Sequence, residues 1–147
     1  VAAASALRDN PDWVGRLLMT VADWCILGAV LLYLLTLAPI KPLGWRDFNN
    51  SAPRDPAFYA PPIRARVLGA HINGIETFPF FAAAILLAEM KHGSQTVVDA
   101  LAVGFLVVRL AFVGAYIVGW PTTRTLLWNL GFLLNVLIFI SPIAWRA

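Results

Sequence analysis

The sequence is poor in the residues that most often build a site in water. It has one cysteine, Cys25, and two histidines, His71 and His92, in 147 residues. A single thiol cannot close an intramolecular disulfide or supply a multi-thiolate metal centre, and the two histidines have no metal-ligand spacing. Charge is scarce as well. Asp, Glu, Lys and Arg make up 13% of the chain, against roughly 25% in an average soluble protein. There is no glycine-rich phosphate loop, no nucleophile elbow, no internal repeat and no low-complexity tract, which sets aside nucleotide-binding, serine-hydrolase and solenoid readings. The formal net charge of +3 and pI near 9.5 come from basic residues scattered between apolar blocks. No dense basic stripe exists, and a nucleic-acid partner is therefore not expected.

What the chain has in excess is apolar surface: 60% of its residues are hydrophobic and the mean hydropathy is +0.75. Such a chain needs a solvent other than water, and a bilayer fits. A hydrocarbon core about 30 Å thick takes about 20 helical residues to cross. Four blocks meet that length: residues 21–40, 67–90, 97–120 and 123–141. The fold expected is all-α and integral to the membrane, a four-helix up-down-up-down bundle. Asp23 marks the start of the first span, and Pro39 and Pro42 mark its end. Its apolar core is longer than a signal-peptide h-region, and no small-residue cleavage site comes after Thr36.

Residues 41–66 contain Pro42, Pro53, Pro56, Pro61 and Pro62 together with several charges, the composition of an irregular, water-facing loop. The other two links are short, so successive helices are antiparallel neighbours. The long loop and the third link share one side, with Lys41, Arg46, Arg54, Arg64, Arg66 and Arg124; Lys91, Arg146, Arg8 and Arg16 fall on the other. By the positive-inside tendency the long loop is cytoplasmic and both termini lie opposite. Residues 1–18 are polar and lack a spanning pattern. Met19 resembles a natural start, which makes residues 1–18 an extension and residues 19–147 the membrane domain, although residues 13–18 are also compatible with an amphipathic segment at the interface.

Ionisable groups within spans cost about 2.5 to 3.5 kcal/mol on insertion scales and mark function or internal pairing. Span two carries His71, Asn73 and Glu76; span three carries Arg109 and Tyr116; span four opens with Arg124 and holds Asn129 and Asn135. At a rise of 1.5 Å per residue, Glu76 lies about 13 Å and Arg109 about 16 Å from the cytoplasmic ends of their helices. By the same measure His71 and Tyr116 lie roughly 6 Å in, with Arg124 at the mouth of span four. Asn73 and Glu76 are three residues apart and Arg109 and Tyr116 seven apart, spacings that share a helical face. These positions imply a polar cleft in the cytoplasmic half, with a Glu76–Arg109 ion pair expected in its deep part.

Blander readings stand beside these. The Glu76–Arg109 pair has an equally good reading as a brace between helices, and His71 reads best as a helix-end hydrogen bond. Tyr116 and most tryptophans suit an interfacial aromatic belt, and Arg124 suits a flanking charge. Asn129 and Asn135 are expected to bond across helices. Glu89, His92 and Asp99 read as solvated residues near the opposite surface.

The run from Arg64 to Phe80, with Ala70-His71-Ile72-Asn73-Gly74-Ile75-Glu76 and then Pro79, resembles the second-helix signature of the MAPEG family, the membrane-associated proteins of eicosanoid and glutathione metabolism. Arg109, Tyr116, Arg124 and Thr125 resemble that family's positions on helices three and four. The resemblance covers about residues 19–147. It implies a homotrimer of four-helix bundles that binds glutathione in clefts between subunits, beside a lipid-accessible site for a lipophilic small molecule. By the same resemblance, Asn73, Glu76 and Tyr116 hold the amide groups of glutathione, and Arg124 stabilises its thiolate.

The chain departs from the family where an arginine four residues before the motif asparagine is here Gly69, and where Ile72 replaces another cation of some members. Arg66, seven residues before Asn73 on the same face, is the expected substitute carboxylate anchor. Trp128 stands where prostaglandin-synthesising relatives have tyrosine. The reading is of a divergent bacterial-type member of the inner membrane, a glutathione-dependent transferase or peroxidase acting on a lipophilic electrophile or lipid hydroperoxide. The alternative is a noncatalytic lipid-binding protein or an accessory subunit of a larger membrane complex.

Overall fold

The computed structural model describes residues 18–38, 40, 44 and 46–145. Residues 1–17 of the expected 1–18 extension, and Lys41 and Pro42 of the long loop, lie outside the described residues. Four principal helices and one short one run in order: α1 (Val21–Leu37), α2 (Pro56–Tyr59), α3 (Pro62–Met90), α4 (Gln95–Val118) and α5 (Pro121–Ala144). The last three are long and apolar enough to cross a membrane, and α1 is apolar but shorter, at 17 residues. The all-α integral membrane bundle expected from the sequence is thus present, with shifted bounds.

The shifts have local causes. The first helix stops at Leu37, ahead of Pro39, whose missing N–H cannot continue a helical ladder. Its start is a capping box: Thr20 Oγ1 accepts from the Asp23 N–H at 3.0 Å, and Asp23 Oδ2 accepts from the Thr20 N–H at 2.9 Å. Prolines open α2, α3 and α5 at their first position, where the absent N–H is not needed and φ is already set. The loop expected to be irregular therefore contains α2, and α3 begins at Pro62 instead of Val67. At the far end of α4, Gly119 adopts a left-handed φ of 88°. The N–H groups of Gly119 and Trp120 both donate to the Ala115 carbonyl, which closes the helix and turns the chain directly into α5.

The α1 helix packs on α3 and α4, while α5 packs on α4 and α3. The core is built from small residues that let backbones approach, including Ala22, Ala29, Ala84, Ala88 and Ala102, around a Phe81–Phe105 stack with centroids 4.0 Å apart. Gly74 serves the same purpose on α3. A Cβ there would overlap the Tyr33 ring of α1, so this glycine is what lets Tyr33 bury to 1% exposure.

Two polar arrangements correct the sequence reading. Glu89 and Asp99 are not merely solvated. The Thr20 hydroxyl donates to Glu89 at 2.8 Å, Gln95 donates to Asp99 at 2.9 Å and to Glu89 at 3.2 Å, and the Ala22 N–H donates to Asp99 at 2.9 Å. This clasp ties the start of α1 to the α3–α4 turn, because each acceptor meets an N–H or hydroxyl that the helix ends leave unpaired. His92, as expected, is exposed. At the other end, Arg64 donates to Asp47 at 2.9 Å and to the Phe58 carbonyl at 3.1 Å, and lies over the Phe58 ring. The long connection is thereby pinned to the first turn of α3.

Candidate functional site

A groove of about 410 Å³ opens between α3 and α5, floored by α4. Asn73 and Glu76 come from α3, Tyr116 from α4, and Arg124, Thr125 and Trp128 from α5. Four of the seven singled-out residues, Asn73, Glu76, Tyr116 and Arg124, thus line one cavity. Arg109 lines a smaller chamber next to it, which shares Asn73, Glu76 and Trp128 with the groove.

Arg66 and His71 face elsewhere. The Arg66 Nε donates to the Ile117 carbonyl at 2.8 Å, satisfying a last-turn acceptor of α4 that has no helical partner. His71 Nδ1 is 2.9 Å from the Tyr33 carbonyl of α1, the helix-joining bond of its blander reading. Neither residue lines the groove or the chamber.

The expected Glu76–Arg109 ion pair is absent. Arg109 is 1% exposed, yet its Nη2 donates to Asn73 Oδ1 at 3.0 Å. Its guanidinium carbon lies 4.2 Å from the centroid of the Phe112 ring and 5.9 Å from that of Tyr33. Glu76, one turn beyond Asn73, is exposed on the surface of the protomer and has no hydrogen bond or ion pair among the described residues. Glu76 and Arg109 do border the same chamber, but Asn73 occupies the turn that faces the guanidinium. Aromatic faces supply the remaining attraction, since a desolvated cation over a ring gains about 2 kcal/mol or more.

The groove wall continues this pattern. Arg124 lies 4.5 Å from the Tyr116 centroid, and the Tyr116 and Phe112 rings meet edge-on at 5.6 Å. Arg109, Phe112 and Tyr116 sit at spacings of three and four on one face of α4, so an arginine–aromatic ladder runs from the mouth to the deep end. Arg124 forms no ion pair among the described residues. Its position leaves a cation at the mouth that no described carboxylate pairs with directly.

Gly69 shapes the same wall. A Cβ at this position would stand 2.5 Å from the Tyr116 hydroxyl oxygen. The Tyr116 phenol therefore occupies space that any longer side chain at residue 69 would need. Asn129 and Asn135 correct the expectation of cross-helix bonds: Asn129 donates to the Thr125 carbonyl of its own helix, and the buried Asn135 Oδ1 has no partner among the described residues. Sequence reasoning also passed over Tyr33 and Phe112. The small residue Gly74 facing Tyr33, and the three-residue step from Arg109 to Phe112, were the available signals.

Fold and groove together define a helical membrane protein with a polar, arginine-bearing cleft in an otherwise apolar bundle. The MAPEG family model matches residues 21–144, from the first residue of α1 to the last of α5, and the chain belongs to the MAPEG family. No curated protein and no solved structure gives a match. Members of the family are membrane-bound glutathione-dependent transferases, peroxidases or binding proteins, typically trimeric.

Proposed function

We propose that this chain is a glutathione-dependent membrane transferase or peroxidase acting on a lipophilic electrophile or lipid hydroperoxide, with Arg124 as the thiolate-stabilising residue. The observation that carries this reading is the position of Arg124: it is braced on Tyr116 and forms no ion pair among the described residues, at the mouth of a groove lined by amide, hydroxyl and carboxylate groups. Glutathione would supply the nucleophilic sulfur. Beside a thiol, the Arg124 cation favours the anion, which is the reactive form. Asn73 and Thr125 offer hydrogen bonds to peptide groups, and Glu76 offers an acceptor for an ammonium. Trp128 and Phe132 stack with centroids 5.7 Å apart and give the apolar partner a flat wall.

The fit is good for thiol, amide and amine and poorer for carboxylates, because Gly69 and Ile72 leave Arg124 as the one cation lining the groove. Further support for an oligomer comes from Glu76, since an unpaired carboxylate facing hydrocarbon costs about 2.5 to 3.5 kcal/mol. A homotrimer in the bacterial inner membrane, with the long loop cytoplasmic, would cover that face.

Isothermal titration of the purified protein in lipid nanodiscs with glutathione tests the reading; no binding up to millimolar concentration overturns it. Bound thiolate is read by its ultraviolet absorbance. Arg124→Ala is expected to raise the pH at which it forms by about one to three units. The sparse carboxylate anchoring favours a second reading, a noncatalytic lipid-binding protein or accessory subunit, which predicts no thiolate signal and full function in Arg124→Ala.

A further inference from the structure

The bond between Arg109 and Asn73 fixes more than the arginine. A guanidinium carries N–H donors and no acceptor, whereas a side-chain amide has an acceptor edge and a donor edge that exchange by rotation. Facing Arg109 Nη2 at 3.0 Å, Asn73 must present Oδ1. Its other edge, Nδ2, makes no hydrogen bond among the described residues, and Asn73 lines the groove together with Tyr116 and Arg124.

Arg109 is itself held in place by two other helices. The Phe112 ring of α4 lies 4.2 Å and the Tyr33 ring of α1 5.9 Å from its guanidinium carbon, and Tyr33 is in turn admitted by Gly74. Rings from α1 and α4 thus aim a cation at one amide of α3. Without that cation the amide has two edges of similar shape and no reason to choose between them. With it, α3 presents a donor at Asn73 and, about 4.5 Å further along the helix axis, an acceptor at Glu76. The charge on Arg109 also polarises the amide through its oxygen and strengthens the Nδ2 hydrogens as donors.

We propose that Arg109 is a positioning residue: without touching the ligand, it locks the Asn73 amide with its NH2 edge toward the groove, so that this point of the groove takes an oxygen acceptor of the bound molecule, a carbonyl or carboxylate, and rejects a donor. The inference deepens the transferase or peroxidase reading, and rests on that reading only for the identity of the bound molecule as glutathione.

The test is a double-mutant cycle on the whole protein in lipid nanodiscs, read by isothermal titration with glutathione. Asn73→Leu removes the donor and should weaken binding about tenfold, the loss of one well-made hydrogen bond. Arg109→Met frees the amide and should weaken binding about fivefold, the cost of ordering one more side chain when the ligand arrives. The double variant should bind no more weakly than Asn73→Leu, because the whole effect of the arginine passes through the asparagine. Additive losses, about fiftyfold together, would mean that Arg109 acts on the ligand by another route, and would overturn the proposal; so would full affinity in Arg109→Met.

Asn73→Asp guards against a folding failure in the leucine variant. It keeps an oxygen for Arg109 Nη2 and replaces the NH2 edge by a second oxygen, so glutathione should again bind about tenfold more weakly or worse, and undiminished binding overturns the proposal. A measurement without ligand separates this inference from the glutathione reading. The Asn73 side-chain NH2 signal in the NMR spectrum, identified by its loss in Asn73→Asp, should exchange with water through the groove and should change its shift in Arg109→Met. An NH2 sealed from water, or one that Arg109→Met does not move, overturns the proposal even where glutathione binds. Both NMR effects together with a silent glutathione titration would uphold the positioning role and overturn the glutathione reading instead.

Discussion

Removing the two partners of the Asn73–Arg109 bond should have unequal effects, and the inequality separates the observed arrangement from an ion pair. Asn73→Leu keeps the volume of the side chain but takes the acceptor from a guanidinium that is 1% exposed. A hydrogen bond to a charged group contributes about 1.5 to 3 kcal/mol, and its loss strands a buried cation, so a cost of about 2 to 3 kcal/mol is expected. Arg109→Met also loses that bond and the Phe112 contact, worth about 0.5 to 2 kcal/mol, but it removes a desolvated charge and an unsatisfied Nε. Replacing buried ionic groups by apolar ones of similar volume is often neutral or stabilising, so the net change should be within about 1 kcal/mol. Glu76→Gln, at an exposed and unpaired position, should fall within about 0.5 kcal/mol. Equilibrium unfolding in bicelles, by steric trapping, reads all three. An Arg109→Met loss of about 3 kcal/mol with a silent Asn73→Leu would refute the reasoning, as would a Glu76→Gln loss equal to that of Asn73→Leu.

Gly74→Ala forces a methyl into the Tyr33 ring and should cost about 1 to 3 kcal/mol as overpacking; a smaller residue at Tyr33 should recover part of it in a double-mutant cycle of thermal unfolding. Thr20→Val removes both the α1 cap and the Glu89 bond, for a loss of about 1 to 2 kcal/mol, detectable as faster hydrogen exchange at the first turn of α1. Arg64→Ala deletes an ion pair whose Asp47 partner is largely exposed, so global stability should move by less than about 1 kcal/mol. Limited proteolysis should nevertheless cut the 46–60 connection faster, because Arg64 also holds the Phe58 carbonyl and ring.

The fold was legible because apolar block length is set by the bilayer and is written directly in the sequence. Bounds were less so: Pro62 and Pro121 begin helices, but a proline after a loop reads equally as turn chemistry. The groove residues Asn73, Glu76, Tyr116 and Arg124 could be grouped by helical spacing and depth. Their partners could not. Depth resolves a position along the axis to about one turn, 5.4 Å, and one turn separates Asn73 from Glu76. The roles of Arg66 and His71 were equally hidden, since each bonds a backbone carbonyl, of Ile117 and Tyr33 respectively, and carbonyls carry no sequence signal. Glu89 and Asp99 lie far apart along the chain from Thr20, and the clasp among them depends on how the helix ends meet.

The arginine–aromatic ladder explains how this bundle keeps two cations at its polar cleft with no anion bonded to either among the described residues. Arg109 and Arg124 bracket Phe112 and Tyr116, so each guanidinium faces the negative π-surface of a ring. Had Arg109 been neutralised by Glu76, as the sequence led us to expect, the carboxylate would have been consumed in the core. Instead Asn73, which carries no charge, holds Arg109, and Glu76 is left available on the groove wall. The same logic applies at residue 69: with glycine there, Tyr116 can lie beneath Arg124, whereas a longer side chain would displace the phenol. The glycine at residue 69 of α3 and the bracing of a cation on α5 are therefore coupled through a single tyrosine. In this chain the positive charge of the cleft is concentrated at Arg124.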